Sequence, residues 1–191
     1  MRLRMRFIFQ IIRSFFAKKR APDERGQSFL TFRVLPTDCV LRYMGNDRHH
    51  AFMDCGRIDL MLQYLSLSEV IRYWICPFVY SVDILYSEPI RLFSRFSLVS
   101  TLVDWDKHFF WIEHHFVQQG RVVATAISKN GIKYQGRVIP PTELLAEVTQ
   151  GAAVAEKRAH RGPIVNGMVQ FLKKRIREVN QQLAAWMNES V

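Results

Sequence analysis

The chain has 191 residues, 49% of them hydrophobic, with 14 Phe, three Cys and a formal charge of +10. That length and apolar content exclude a disordered or disulfide-stapled chain and fit one domain with appendages. The charge sits at the ends: residues 1–25 carry eight Lys/Arg against two acids and residues 156–178 seven against two, so the near-neutral middle excludes a core built to bind nucleic acid.

Residues 1–20 contain no acid. Met5, Ile8, Phe9, Ile12, Phe15 and Phe16 share one helical face, ringed by Arg2, Arg6, Arg13 and Lys18 to Arg20. Such a helix lies in a membrane interface, with Phe and Ile among acyl chains and the cations at anionic headgroups. It is too short and too charged to span, and Arg13 interrupts any signal-peptide core. A helix packed on the domain and a mitochondrial presequence share the pattern and stay open. Cys39, Cys55 and Cys76 have no paired spacing, and there is no CxxC or Cys/His set. A reducing compartment, the cytoplasm, and no structural metal are expected.

The APDERG stretch at 21–26 is a linker. Leu30, Phe32 and Val34 alternate, which predicts a first strand over 28–35 that Pro36 stops. A long apolar segment, 46–65, comes next in the chain. Ala51, Cys55, Ile58, Leu62 and Leu65 recur at steps of four and three, the spacing of a helix. Phe52, Met53, Leu60 and Met61 widen its apolar surface, so other structure must cover it. Its polar stripe is Asp47, His50, Asp54 and Arg57, and Gly45-Asn46-Asp47 offers a helix start.

Residues 67–72 extend the helical region. Strands are predicted over 78–86, 91–103, 108–117, 121–128 and 132–138, with Phe78, Tyr80, Val82, Ile84 and Tyr86 on one face of the first. Turns are expected at Glu88-Pro89, over 118–120, and at Asn130-Gly131. A short helix follows Pro140-Pro141. The last helix, 164–188, carries a heptad stripe through Val165, Val169, Leu172, Ile176, Val179, Leu183 and Trp186. Strand, apolar helix and antiparallel meander make an α+β arrangement, a buried helix wrapped by a sheet. The expected organisation is 1–26 helix and linker, 27–150 folded domain, and 151–191 helical extension.

Four motifs carry a family resemblance. They are Arg33-Val34-Leu35-Pro36-Thr37-Asp38, Phe52-Met53-Asp54-Cys55-Gly56-Arg57, Tyr86-Ser87-Glu88-Pro89-Ile90 and Trp105-Asp106 before an aromatic strand. In this order they resemble hotdog-fold acyl-CoA thioesterases, in the branch that includes thioesterase superfamily member six and its bacterial relatives. The likeness runs over about 28–148 and includes Gly136 to Pro141. Family members carry an Asp, then Asn, His and an Asn pair at the entry to the helix. Asp38 matches the leading Asp and Asn46 one Asn of the pair, while the His position falls at Tyr43 or Met44.

The resemblance implies hydrolysis of an acyl thioester, a homodimer joined at sheet edges, and no cofactor. Its chemistry needs a carboxylate to activate water and donors for the oxyanion. Asp38, Asn46 and Asp54 are the expected catalytic residues. Tyr43, Gly45, Asp47, His50 and Arg91 are the expected substrate contacts. The plain alternatives are that Asp38 holds its own loop, Asp47 caps the helix, and Asp54 pairs with His50 or Arg57. A chain without the family's full polar loop is also compatible with acyl binding or membrane scaffolding without hydrolysis. Glu113-His114-His115 is a poor metal site, because neighbouring strand residues face opposite ways.

Overall fold

The computed structural model describes residues 26–105, 108–141 and 143–144. The amphipathic helix expected over 1–20 and the heptad helix over 164–188 lie outside those residues.

Strand β1 (Gln27–Arg33) alternates between exposed and buried positions, with Leu30 and Phe32 inward. A short 3-10 turn, Pro36–Asp38, follows. Strands β2 (Cys39–Val40) and β3 (Tyr43–Met44) then form a small hairpin. The central helix α1 runs Asn46–Tyr64. A separate helix α2 (Leu67–Arg72) begins at Ser66, whose hydroxyl accepts the Glu69 N–H at 3.2 Å while its own N–H donates to Glu69 Oε2 at 2.6 Å. That reciprocal cap explains why α2 is a new helix and not a continuation of α1.

The main sheet is antiparallel. It contains β4 (Cys76–Tyr86), β5 (Arg95–Trp105), β6 (Phe110–Gln118), β7 (Arg121–Tyr134) and β8 (Arg137–Ile139). Its order is β1-β5-β6-β7-β4, with β8 also on β7. Bulges at Val79/Ser81, Leu102/Asp104 and Phe116/Val117 add twist. Helix α1 lies across β1, β5 and β6. Phe52 and Met53 are fully buried between them, and Phe52 packs on Phe32 and Phe96 at 4.7 and 5.1 Å between ring centroids. Each such side chain contributes about 1.5–3 kcal/mol through burial. This curled sheet with its packed helix is the hotdog arrangement expected from the sequence.

Three local expectations need correction. Asn130-Gly131 is not a turn; both residues lie inside β7. The Phe78 and Tyr80 rings stand where a Cβ on Gly131 would go, so the glycine permits a close approach. The chain turns instead at Gln135-Gly136, where φ is 48° and 80°, as it does at Gln119-Gly120 with 51° and 77°. Both are two-residue hairpin turns that need positive φ twice. Second, the β4 bulge divides the predicted apolar face: Phe78 pairs with Gly131 on one side of the sheet, and Val82 pairs with buried Ser128 on the other. Third, the polar stripe of α1 is not uniform: Asp47, His50 and Asp54 are exposed, whereas Arg57 is buried, at 5% exposure.

Candidate functional site

Six of the eight residues expected at a site gather around the N-terminal end of α1. Pro36 sets the 3-10 turn, and Asp38 closes it. Asp38 is buried, and its Oδ2 accepts the Leu35 N–H at 2.8 Å. Its main-chain oxygen accepts the Gly45 N–H at 2.9 Å, which fixes the Asp38 loop to the helix start. Tyr43 pairs with Arg91 in an isolated bridge. The flanking bonds Met44 N–H to Ile90 O (2.8 Å) and Leu92 N–H to Arg42 O (2.9 Å) hold those two segments together.

Gly45 occupies the cap position without a side-chain cap. The first helical amides, at Asn46 and Asp47, have no acceptor within the helix and sit at the positive end of its dipole. Asn46 and Asp47 are both exposed, and Asp47 pairs with Arg48 at 3.2 Å. This end can therefore orient an electron-rich oxygen with backbone donors. Cys39 beside it is a poor nucleophile, because burial and then the Asp38 charge push its thiol up.

His50 and Asp54 lie farther along α1. Asp54 forms its ion pair with Arg57, one of the two partners that the spacing allowed. His50 is exposed.

Sequence reasoning overlooked a row of polar side chains under α1. His114 is fully buried; its Nδ1 shares a 2.8 Å hydrogen bond with Ser100 Oγ and its Nε2 a 3.1 Å bond with Ser128 Oγ. Asn130 Nδ2 donates to Ser128 Oγ at 3.0 Å. Ser28 sits opposite Ser100 in the register, extending the row to β1. The available signal was Ser or His at inward positions of four strands. His115, as expected, turns the other way, toward Thr125 at 3.0 Å and Glu113 at 3.4 Å. His49 is a further buried histidine, held by Gly45 O at 3.1 Å and packed edge-on against Tyr86 and Phe116. Among the described residues no three His, Cys, Asp or Glu converge to hold a metal ion.

Burial holds His114 well below the usual histidine range, and the charges of Arg57 and His115 lower it further. Burial also lowers His49, against a smaller opposing effect of its bond to Gly45. Both take up a proton less readily in the fold than in the unfolded chain, where histidine titrates near pH ~6.5. Their stability contribution is thus complete above that pH and is lost as pH falls toward the depressed folded values. Each histidine is expected to remove at most about 1.4 kcal/mol per pH unit. Urea unfolding at stepped pH measures the slope, and His114→Gln should reduce it by about one proton.

A model of the thioesterase-like superfamily matches residues 34–182. The chain belongs to that superfamily. The match does not single out a branch within it. No curated protein sequence matches. Solved structures show the same fold. Gentisyl-coenzyme A thioesterase has 22% identity and a TM-score of 0.52 over 62% of this chain and 98% of its own. A Staphylococcus aureus hypothetical protein in complex with CoA has 15% identity and a TM-score of 0.55 over 69% and 86%. An Asp-to-Asn mutant of 4-hydroxybenzoyl CoA thioesterase, complexed with 4-hydroxybenzoyl CoA, has 13% identity and a TM-score of 0.56 over 64% and 97%. The fold is therefore shared with chains that have little sequence in common with this one.

Proposed function

We propose that the protein hydrolyses acyl-CoA or a related acyl thioester at the N-terminal end of α1. The observation that carries this reading is the bond from Gly45 N–H to Asp38 O, at 2.9 Å. It fastens a carboxylate-bearing loop to a set of free helix amides. The amides of Asn46 and Asp47 would polarise the thioester carbonyl, and Asp38 would orient or deprotonate the attacking water. Arg91, placed beside Tyr43, would meet the phosphates of coenzyme A. The CoA and acyl-CoA complexes of the fold neighbours support that substrate class.

We also propose a homodimer joined along β4. That strand ends the sheet, and it leaves Val79, Tyr80, Leu85 and Tyr86 between 38% and 65% exposed. An apolar edge of this length is normally paired or covered. Residues 1–20 would hold the dimer at an anionic membrane.

The test is release of free CoA from a panel of acyl-CoAs of graded length, with the dimer checked by light scattering. Flotation with anionic liposomes, with and without residues 1–20, checks the membrane contact. Turnover on at least one acyl class is expected, and so is loss of flotation in the truncated chain. If no thioester is cleaved, the hydrolytic reading falls. The second reading then stands: an acyl-binding hotdog protein, favoured by Tyr43 or Met44 falling at the family's His position.

A further inference from the structure

A cavity of about 100 Å³ opens under the second half of α1. Leu60, Met61 and Tyr64 of α1 line it together with Leu102, Ile112 and Ile132 from β5, β6 and β7. None of the eight residues expected at the thioester site touches it. Arg57 lies eleven residues beyond Asn46, about 16 Å along the helix from its start. This is a separate place in the molecule.

Among the described residues one charged side chain lines the cavity, Arg57, and it is 5% exposed. Its Nη2 is committed to Asp54. Its Nη1 is buried and has no hydrogen-bond partner. A buried charged donor left unmade is costly, more so than a neutral one. A water is a poor remedy, since it needs two to four polar partners and the other described lining residues present almost no polar surface. The Asp54 side chain is 56% exposed, so water screens its half of the ion pair and the positive charge of Arg57 is left facing inward.

We infer that this cavity binds a medium-chain aliphatic carboxylate, with its carboxylate on Arg57 Nη1 and its chain between α1 and the sheet. A charge-assisted bond would complete the orphaned nitrogen. The apolar walls would bury the methylenes at about 0.8 kcal/mol each. The volume sets the length. At about 10–15 Å³ of such space per water-sized group, it takes roughly seven to ten heavy atoms, which is pentanoate to octanoate. A free acid is also what thioester hydrolysis releases. The site itself rests on Arg57 and the cavity and does not require hydrolysis.

Calorimetric titration of the full-length protein with octanoate, 1-octanol and octylammonium tests this. One octanoate per chain is expected, bound at least about tenfold more tightly than octanol, with octylammonium weakest. Arg57→Met keeps the side chain's bulk and removes its donors. It should bring octanoate down to the affinity of octanol and leave octanol unchanged. Ile132→Trp fills the cavity and should weaken both, which decides the matter if Arg57→Met does not fold. Equal affinity of octanoate and octanol in the native protein overturns the inference, and so does octanoate affinity that either variant leaves unchanged, or no octanoate binding to the native protein. Hydrolysis is measured separately on the same samples. Hydrolysis without octanoate binding removes this inference alone; octanoate binding without hydrolysis removes the proposed activity alone.

Discussion

Asp38→Asn is expected to lower kcat for thioester cleavage about 100-fold. The substitution leaves the loop intact. Asp38 Oδ2 accepts the Leu35 N–H at 2.8 Å, and an Asn side-chain oxygen can accept the same bond. The main-chain link to Gly45 does not involve the side chain at all. What Asn cannot do is take a proton from water. The loss should therefore fall on kcat, with KM within about threefold of the native value. Asp38→Ala makes the useful contrast. It removes the proton acceptor and also the cap of the 3-10 turn, so it should cost a further ~1 kcal/mol of stability. Asp54→Asn is the control. Its side chain faces Arg57, away from the helix start, and should change kcat far less. Steady-state CoA release and urea unfolding separate the two effects. An Asn variant with native kcat would reduce Asp38 to a loop-holding residue.

The fold was legible wherever one element's own pattern decided it. Leu30, Phe32 and Val34 alternate because one face of β1 meets α1, and that periodicity is complete within seven residues. The spacing of Cys55, Leu62 and Leu65 likewise fixed a helix that must be covered. What remained hidden depends on partners far along the chain. Asn130-Gly131 reads as a turn by local chemistry, yet Phe78 and Tyr80 pack where a Cβ would stand and keep β7 straight through it. Arg57 reads as surface because Arg usually is. Its burial follows from Asp54 three residues earlier and from the cavity beneath it.

The candidate site was legible in position more than in detail. The family motifs placed Asp38, Asn46 and Asp47 near one another, and the hairpin β2–β3 with its bridge to Arg91 explains how. No pattern within one segment could have joined Ser100, His114, Ser128 and Asn130, because three strands contribute to that row.

Gly56→Ala is expected to destabilise the protein by about 3 kcal/mol, despite the better helix propensity of alanine. Gly56 is where α1 comes down onto β5. A Cβ there would overlap Ser100 Oγ and stand 3.2 Å from both Leu98 Cδ2 and Ser100 Cβ. Ser100 cannot simply swing aside, since its hydroxyl is bonded to His114 Nδ1 at 2.8 Å. Either that bond breaks in a buried site or the helix lifts from the sheet. Removing the hydroxyl should relieve most of the clash. In a Ser100→Ala background the same Gly56→Ala change should cost only about 1 kcal/mol, a coupling of about 2 kcal/mol between the two positions. Gly45 supplies the opposite case at the other end of the same helix. A Cβ there would meet Asp47 Oδ1, the tip of an exposed side chain, and the cost should stay under about 1 kcal/mol. Urea unfolding of the native protein and the three variants of the cycle measures the coupling. Additive losses would mean that α1 rides higher above β5 than these contacts require. The height matters to both sites, because Gly56 neighbours Arg57 in the cavity and the same rigid helix carries its free amides to Asp38.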